Sequence, residues 1–235
     1  MTSCTDKQLG KPHFKALERY EQYWWDADDE RDYQQAMQEP FSSLVFTLLS
    51  QNTSSQNTRR AYRGLRRAFA ITPEVLHRAD ESALARAIKP GGLHHVKAGR
   101  IRELAAYVLN EYNGDLSWVY DAPQDTVRIQ LLEMPGIGPK TADVLLSYIH
   151  GHREAFVVDT HMFRIAYRLG LVERGASYDE VQCCLTSFFP WEDIPAERRE
   201  RTAGLFWFLA RHTCRARAPR CGECPLADIC AQRLE

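Results

Sequence analysis

With 235 residues, 44% of them hydrophobic and 26% charged, the chain is long enough to bury a core without covalent staples and too apolar to stay disordered. No apolar run approaches the roughly 18 residues of a membrane span. Residues 1–11 also lack the basic-then-apolar order of a signal peptide, so the expectation is a soluble, unsecreted protein with no membrane partner. The formal charge of −1 means that any affinity for nucleic acid has to come from local asymmetry of charge.

That asymmetry begins early in the chain. Residues 18–39 hold eight acids against two bases, a balance of −6, and nothing in the sequence gives the acidic stretch at 26–32 a role. Residues 58–102 reverse the sign with eleven bases against three acids, and residues 198–220 set seven arginines against Glu200 alone. Two basic segments meeting on one face would track a phosphate backbone, although each alone also reads as a solvated helix face. Leu44, Leu48 and Leu49, then Leu65 and Phe69, then Leu84 and Ile88 keep the three-to-four spacing of amphipathic helices. Turn residues separate them at Thr72-Pro73, Pro90-Gly91-Gly92, Asn113-Gly114, 135–139 and Gly170. Only residues 155–158 read as extended, too few to seed a sheet. The reading is all-α, two helical lobes with a cleft between them.

Residues 131–142 (LLEMPGIGPKTA) place two glycines in a tight hairpin ahead of a new helix. Glycines let a backbone approach closely, and the first amides of a helix with its dipole favour an anion, so the hairpin suits a phosphate; it also reads as an ordinary helical hairpin. Lys140 opens the second helix, where the positive helix end and any partial burial both disfavour an ammonium. A free amine there is a nucleophile able to form a Schiff base; a phosphate-binding lysine is the alternative. In residues 157–164 (VVDTHMFR), Asp159 precedes a helix carrying Met162, Ile165, Ala166 and Leu169 on its apolar face, the position of an N-cap. His161 reads as a structural histidine near it. Cys214, Cys221, Cys224 and Cys230 are separated by six, two and five residues, and four thiolates so close converge on one zinc or one iron–sulfur cluster. Cys4, Cys183 and Cys184 fall outside that pattern and read as spare thiols.

Together the hairpin string, the aspartate segment and the cysteine spacing resemble the endonuclease III family of DNA glycosylases, in the family's order and over residues 40–235. The resemblance implies a central lobe over residues 34–152 with the helix-hairpin-helix, and a second lobe from residues 1–33 and 153–235 carrying a [4Fe-4S] cluster on Cys214, Cys221, Cys224 and Cys230. It implies a monomer working on double-stranded DNA with damaged bases or abasic sites, located in the cytoplasm at the nucleoid if the source is prokaryotic. Lys140 takes the place of the nucleophile, and Asp159 that of the aspartate facing it across the cleft and required for excision. Gly136, Gly138, Thr141, His161, Arg215 and Arg217 fall at DNA-facing positions. Asn52 stands where relatives commonly put a glutamine that fills the stack after the base is flipped, and Leu93 stands at the wedge pushed between bases of the opposite strand, with core packing as its alternative. Ser55 replaces an aspartate found in many relatives. The implied activity is excision of oxidised or damaged pyrimidines with strand nicking by β-elimination. The alternatives are a monofunctional adenine or mismatched-thymine glycosylase and a non-catalytic iron–sulfur DNA-binding module.

Overall fold

A computed structural model describes residues 7–150 and 156–234. Among these the chain forms α1 (Lys11–Leu17), α2 (Ala27–Met37), α3 (Pro40–Ser50), α4 (Ser55–Ala68), α5 (Pro73–Arg78), α6 (Glu81–Ala87), α7 (His94–Tyr112), α8 (Gln124–Glu133), α9 (Pro139–His150), α10 (Thr160–Leu169), α11 (Tyr178–Phe188) and α12 (Ala196–His212), with short 3-10 turns between some of them. No strand occurs among the described residues, so the fold is all-α, and residues 156–158 of the stretch read as extended join no sheet. No described helix is long and apolar enough to cross a membrane. Cys4 and Ala155 lie outside the described residues.

The helix starts are written in the sequence. Asp26, Ser54, Thr72 and Asp80 each accept the backbone N–H three residues on, and Ser177 completes a reciprocal capping box with Glu180. Each such cap is worth about 1 kcal/mol. Pro12, Pro40, Pro73 and Pro139 fall in the first turns of α1, α3, α5 and α9, where a missing N–H costs nothing.

The chain separates into two compact units, Trp25–Ile149 and a second made of Met1–Trp24 with His150–Glu235. In the first, α3 is the central helix, with every residue from Pro40 to Leu49 buried. A helix apolar on all sides has to be surrounded, and Tyr62, Leu65, Ile101, Leu104 and Leu131 belong to the same core. In the second, Met162, Ile165, Val181, Leu185, Phe188, Phe206 and Leu209 are buried, at roughly 1.5–3 kcal/mol for each large side chain removed from water.

The acidic N-terminal stretch takes up part of the charge of both basic segments. Asp29 lies 3.5 Å from Arg59 and 3.3 Å from Arg63, and Asp32 pairs with Arg63 and lies 3.9 Å from Arg66. Arg59 is only 4% exposed, its guanidinium 5.1 Å from the centre of the Trp25 ring. In the second unit Arg198 reaches Glu18 at 2.8 Å, Arg201 pairs with Glu21, and Arg199 donates to the carbonyls of Ile194 and Trp191. Arginines of α4 and of the start of α12 are therefore engaged by partners within the chain. Arg60, Arg67, Arg211 and Arg217 stay exposed.

Candidate functional site

Residues 134–138 link α8 to α9 by a tight turn in which the Ile137 N–H donates to the Met134 carbonyl at 3.1 Å. Pro135 and Gly136, the latter at φ 77°, supply the two central conformations of a type II turn, the second of which needs glycine. Ile137 is buried and anchors the turn. Arg128 on α8 and the buried Asp143 on α9 form an ion pair at 3.1 Å that ties the two helices together. Gly138 has an ordinary φ, and a Cβ built on it would meet nothing within 4 Å, so no contact within the chain requires glycine there. Lys140 stands exposed one residue into α9. The partial burial expected from the sequence is therefore absent. Thr141 departs from the expectation of a DNA contact: its side chain is 4% exposed and its N–H donates to the Gly138 carbonyl at 2.9 Å.

Two further segments converge on this hairpin. Gln51 donates to the Gly136 carbonyl at 3.3 Å and accepts from Arg100 at 3.1 Å, which brings the loop after α3 and the first turns of α7 to the turn. Asn52 (φ 55°) and Leu93 (φ 48°) are both left-handed. Asparagine tolerates that conformation; leucine adopts it at a cost of about 1–2 kcal/mol, and Leu93 is also 57% exposed. Core packing is thereby removed as its role. Ser55 forms the first residue of α4. Behind both loops lies Lys97, 2% exposed, whose ammonium donates to the carbonyls of Leu49 at 2.7 Å and Gly91 at 2.9 Å. Burial pulls its pKa below the ordinary lysine value. Sequence reasoning passed over Lys97, although its spacing to Ile101, Leu104 and Val108 puts it on the apolar face of α7 and could have marked it.

In the second unit Asp159 caps α10. Its Oδ1 accepts the N–H groups of His161 at 2.8 Å and Met162 at 2.9 Å, and its Oδ2 accepts the indole N–H of Trp207 on α12 at 2.7 Å. His161 is half-buried, its ring edge-on to Trp207 at 5.7 Å and its Nδ1 accepting from Arg164 at 3.0 Å. Arg164 also donates to the carbonyls of Ala210 at 2.6 Å and Cys214 at 2.8 Å, and burial lowers its pKa. Trp207 carried no local signal, because its partner lies 48 positions away and a tryptophan on an apolar helix reads as core.

Cys214, Cys221, Cys224 and Cys230 line a single cavity of about 350 Å³ with its open mouth included. Burial first, and the neighbouring thiols in addition, push the Cys224 thiol up to about 11, so the site favours thiolates only with a cationic centre among them. Donors already face the sulfurs: Arg168 lies 3.6 Å from the Cys214 Sγ and the Gln232 N–H 3.3 Å from the Cys230 Sγ. The cysteine set and its cavity fit an iron–sulfur cluster. Buried Arg168 holds the loop by donating to the carbonyls of Arg215 and Ala216, and Arg215 donates to the Ala218 carbonyl, while Arg217 is exposed. Exposed Cys183 and buried Cys184 sit on α11 and line no part of the cavity.

Residues 45–190 match the base excision DNA repair proteins of the HhH-GPD superfamily, and residues 214–230 match the iron–sulfur binding domain of endonuclease III. The chain belongs to the HhH-GPD superfamily. Endonuclease III of Bacillus subtilis is 32% identical over 193 residues, which cover 82% of this chain and 81% of its own. A solved non-covalent endonuclease III–DNA complex superimposes with a TM-score of 0.70 at 29% identity, covering 96% of this chain and 97% of that one. A thermostable thymine-DNA glycosylase gives a TM-score of 0.69 at 20% identity over 94% and 96% of the two chains, a likeness of fold alone. Within the HhH-GPD superfamily the protein is an endonuclease III-like base excision repair glycosylase, and its cysteine loop is the site of a [4Fe-4S] cluster.

Proposed function

We propose that this glycosylase is bifunctional: it removes oxidised or damaged pyrimidines from double-stranded DNA as a monomer and nicks the abasic strand through a lysine Schiff base. The observation that carries the reading is the exposed Lys140 at the open start of α9, beside a glycine whose missing side chain serves nothing inside the chain. The target nucleotide leaves the stack, since a paired base is out of reach. Asn52 fills the vacated position and Leu93 wedges the opposite strand, which offsets the strain and exposure of its left-handed backbone. Gly136 and Gly138 take a phosphate on their backbone amides, and Arg217 adds charge from the cysteine loop. The Lys140 amine attacks C1′ of the sugar, the C1′–N bond breaks, and the base departs with a proton. The C1′–O4′ bond then breaks, with O4′ taking up a proton as the lysine nitrogen gives one up and forms the C1′=N bond; the resulting protonated Schiff base loses a 2′ proton, and cleavage of the C3′–O bond expels the 3′ phosphate. Asp159 stabilises positive charge as it develops on the sugar, its carboxylate already oriented by three N–H donors. Cys214, Cys221, Cys224 and Cys230 hold the [4Fe-4S] cluster, which when bound cross-links the loop carrying Arg215 and Arg217.

Borohydride trapping tests the proposal on duplexes carrying one oxidised pyrimidine or one abasic site, with wild type beside Lys140→Ala. A covalent adduct with wild type alone is the expected result. Trapping only on the abasic duplex would keep the lyase and change the lesion. Base release without an adduct would make the enzyme monofunctional, and neither product from folded, brown protein would leave a DNA-binding module.

A further inference from the structure

The carboxylate of an ionised aspartate offers about four acceptor sites on its two oxygens. Asp159 uses two of them on Oδ1 for the amides that begin α10, which fixes one oxygen but leaves the group free to pivot about it. The third is taken by the Trp207 indole on Oδ2 at 2.7 Å. With both oxygens held, the carboxylate plane is fixed and a single acceptor direction on Oδ2 stays open. The ring that does this is itself held. Trp207 packs edge-on against Phe208 at 5.1 Å, His161 approaches at 5.7 Å, and the Arg211 guanidinium lies 5.1 Å from its centroid. An indole N–H donates and never accepts, so it orients the carboxylate without exchanging a proton with it.

From this arrangement we infer that Trp207 is a positioning residue for excision, acting through Asp159 to aim its one free acceptor site. The inference rests on the role proposed above for Asp159 and adds a residue whose effect is on the chemical step rather than on DNA binding. Its loss leaves the N-cap in place and lets Oδ2 swing, so the charge it presents to the sugar moves.

The test is single-turnover excision with Trp207→Phe, which keeps an aromatic ring and removes the donor. The expected result is a rate about tenfold lower at saturating enzyme, with the visible cluster absorbance and the affinity for an abasic duplex unchanged. In an Asp159→Asn background the same substitution is expected to cost nothing further, because the two residues act as one unit. An unchanged rate for Trp207→Phe beside an active wild type, or an equal loss in the Asp159→Asn background, overturns the inference alone. Wild-type inactivity on oxidised and abasic duplexes overturns the proposed function and this inference with it. A second measurement needs no change at Trp207: its indole N–H is expected to exchange slowly with solvent in the wild type and faster in Asp159→Ala, and equal exchange would count against the contact.

Discussion

The starts of α9 and α10 carry the two residues proposed to act on one sugar, and they are built in opposite ways. At α9 the first turn is open: a side chain at Gly138 would meet nothing within 4 Å, and Lys140 stands in solvent. At α10 the first turn is sealed, with Asp159 accepting two backbone amides and an indole. A nucleophile has to move toward a carbon that arrives with the substrate, whereas an electrostatic group works best when it is already oriented. The contrast teaches that a lysine and an aspartate of one mechanism can be prepared by opposite means, exposure for the first and saturation with donors for the second.

Substitutions test that contrast directly. The largest effect is expected from Lys140→Ala, which should abolish borohydride trapping and lower base release about a thousandfold without moving Tm, because the lysine makes no contact that folding needs. Asp159→Asn comes next. An asparagine offers one acceptor oxygen where two are used, so one of its three donors meets an amide NH2; excision should fall about a hundredfold, and stability by about 1 kcal/mol in thermal melts. Lys97→Met should spare the chemistry and strike the scaffold: it leaves the Leu49 and Gly91 carbonyls without their donor, at about 2 kcal/mol in denaturant melts, and weakens binding to a damaged duplex more than to an undamaged one. Gly138→Ala is the gentlest. Its Cβ enters open space, so stability should hold within about 0.5 kcal/mol, while the affinity for an abasic duplex measured by titration falls several-fold.

The helices, their starts and the hairpin were legible because they are local: caps, prolines and apolar spacing act within a few residues. So were the four cysteines, whose spacing is itself the signal. What escaped was set by contacts between distant segments. No local pattern pairs Trp207 with Asp159, and the buried status of Thr141 follows from how the turn packs. Part of the basic run at 58–102 is set in the same way. Arg59, Arg63 and Arg66 are met by the carboxylates of Asp29 and Asp32, which lie some thirty positions earlier in the sequence.

Those carboxylates have a consequence for how the protein senses salt. An arginine that touches DNA contributes to the salt dependence of binding by setting free a cation condensed on the phosphate, each contact adding about 0.9 to the slope of log K against log salt. Arg59, Arg63, Arg66, Arg198 and Arg201 carry their counterions as tethered carboxylates that cannot diffuse away. Engaged with those carboxylates rather than with phosphates, they leave the condensed cations in place and add nothing to the slope. To a salt titration the protein should look less basic than its arginine-rich segments, with the response left to the guanidiniums outside these pairs.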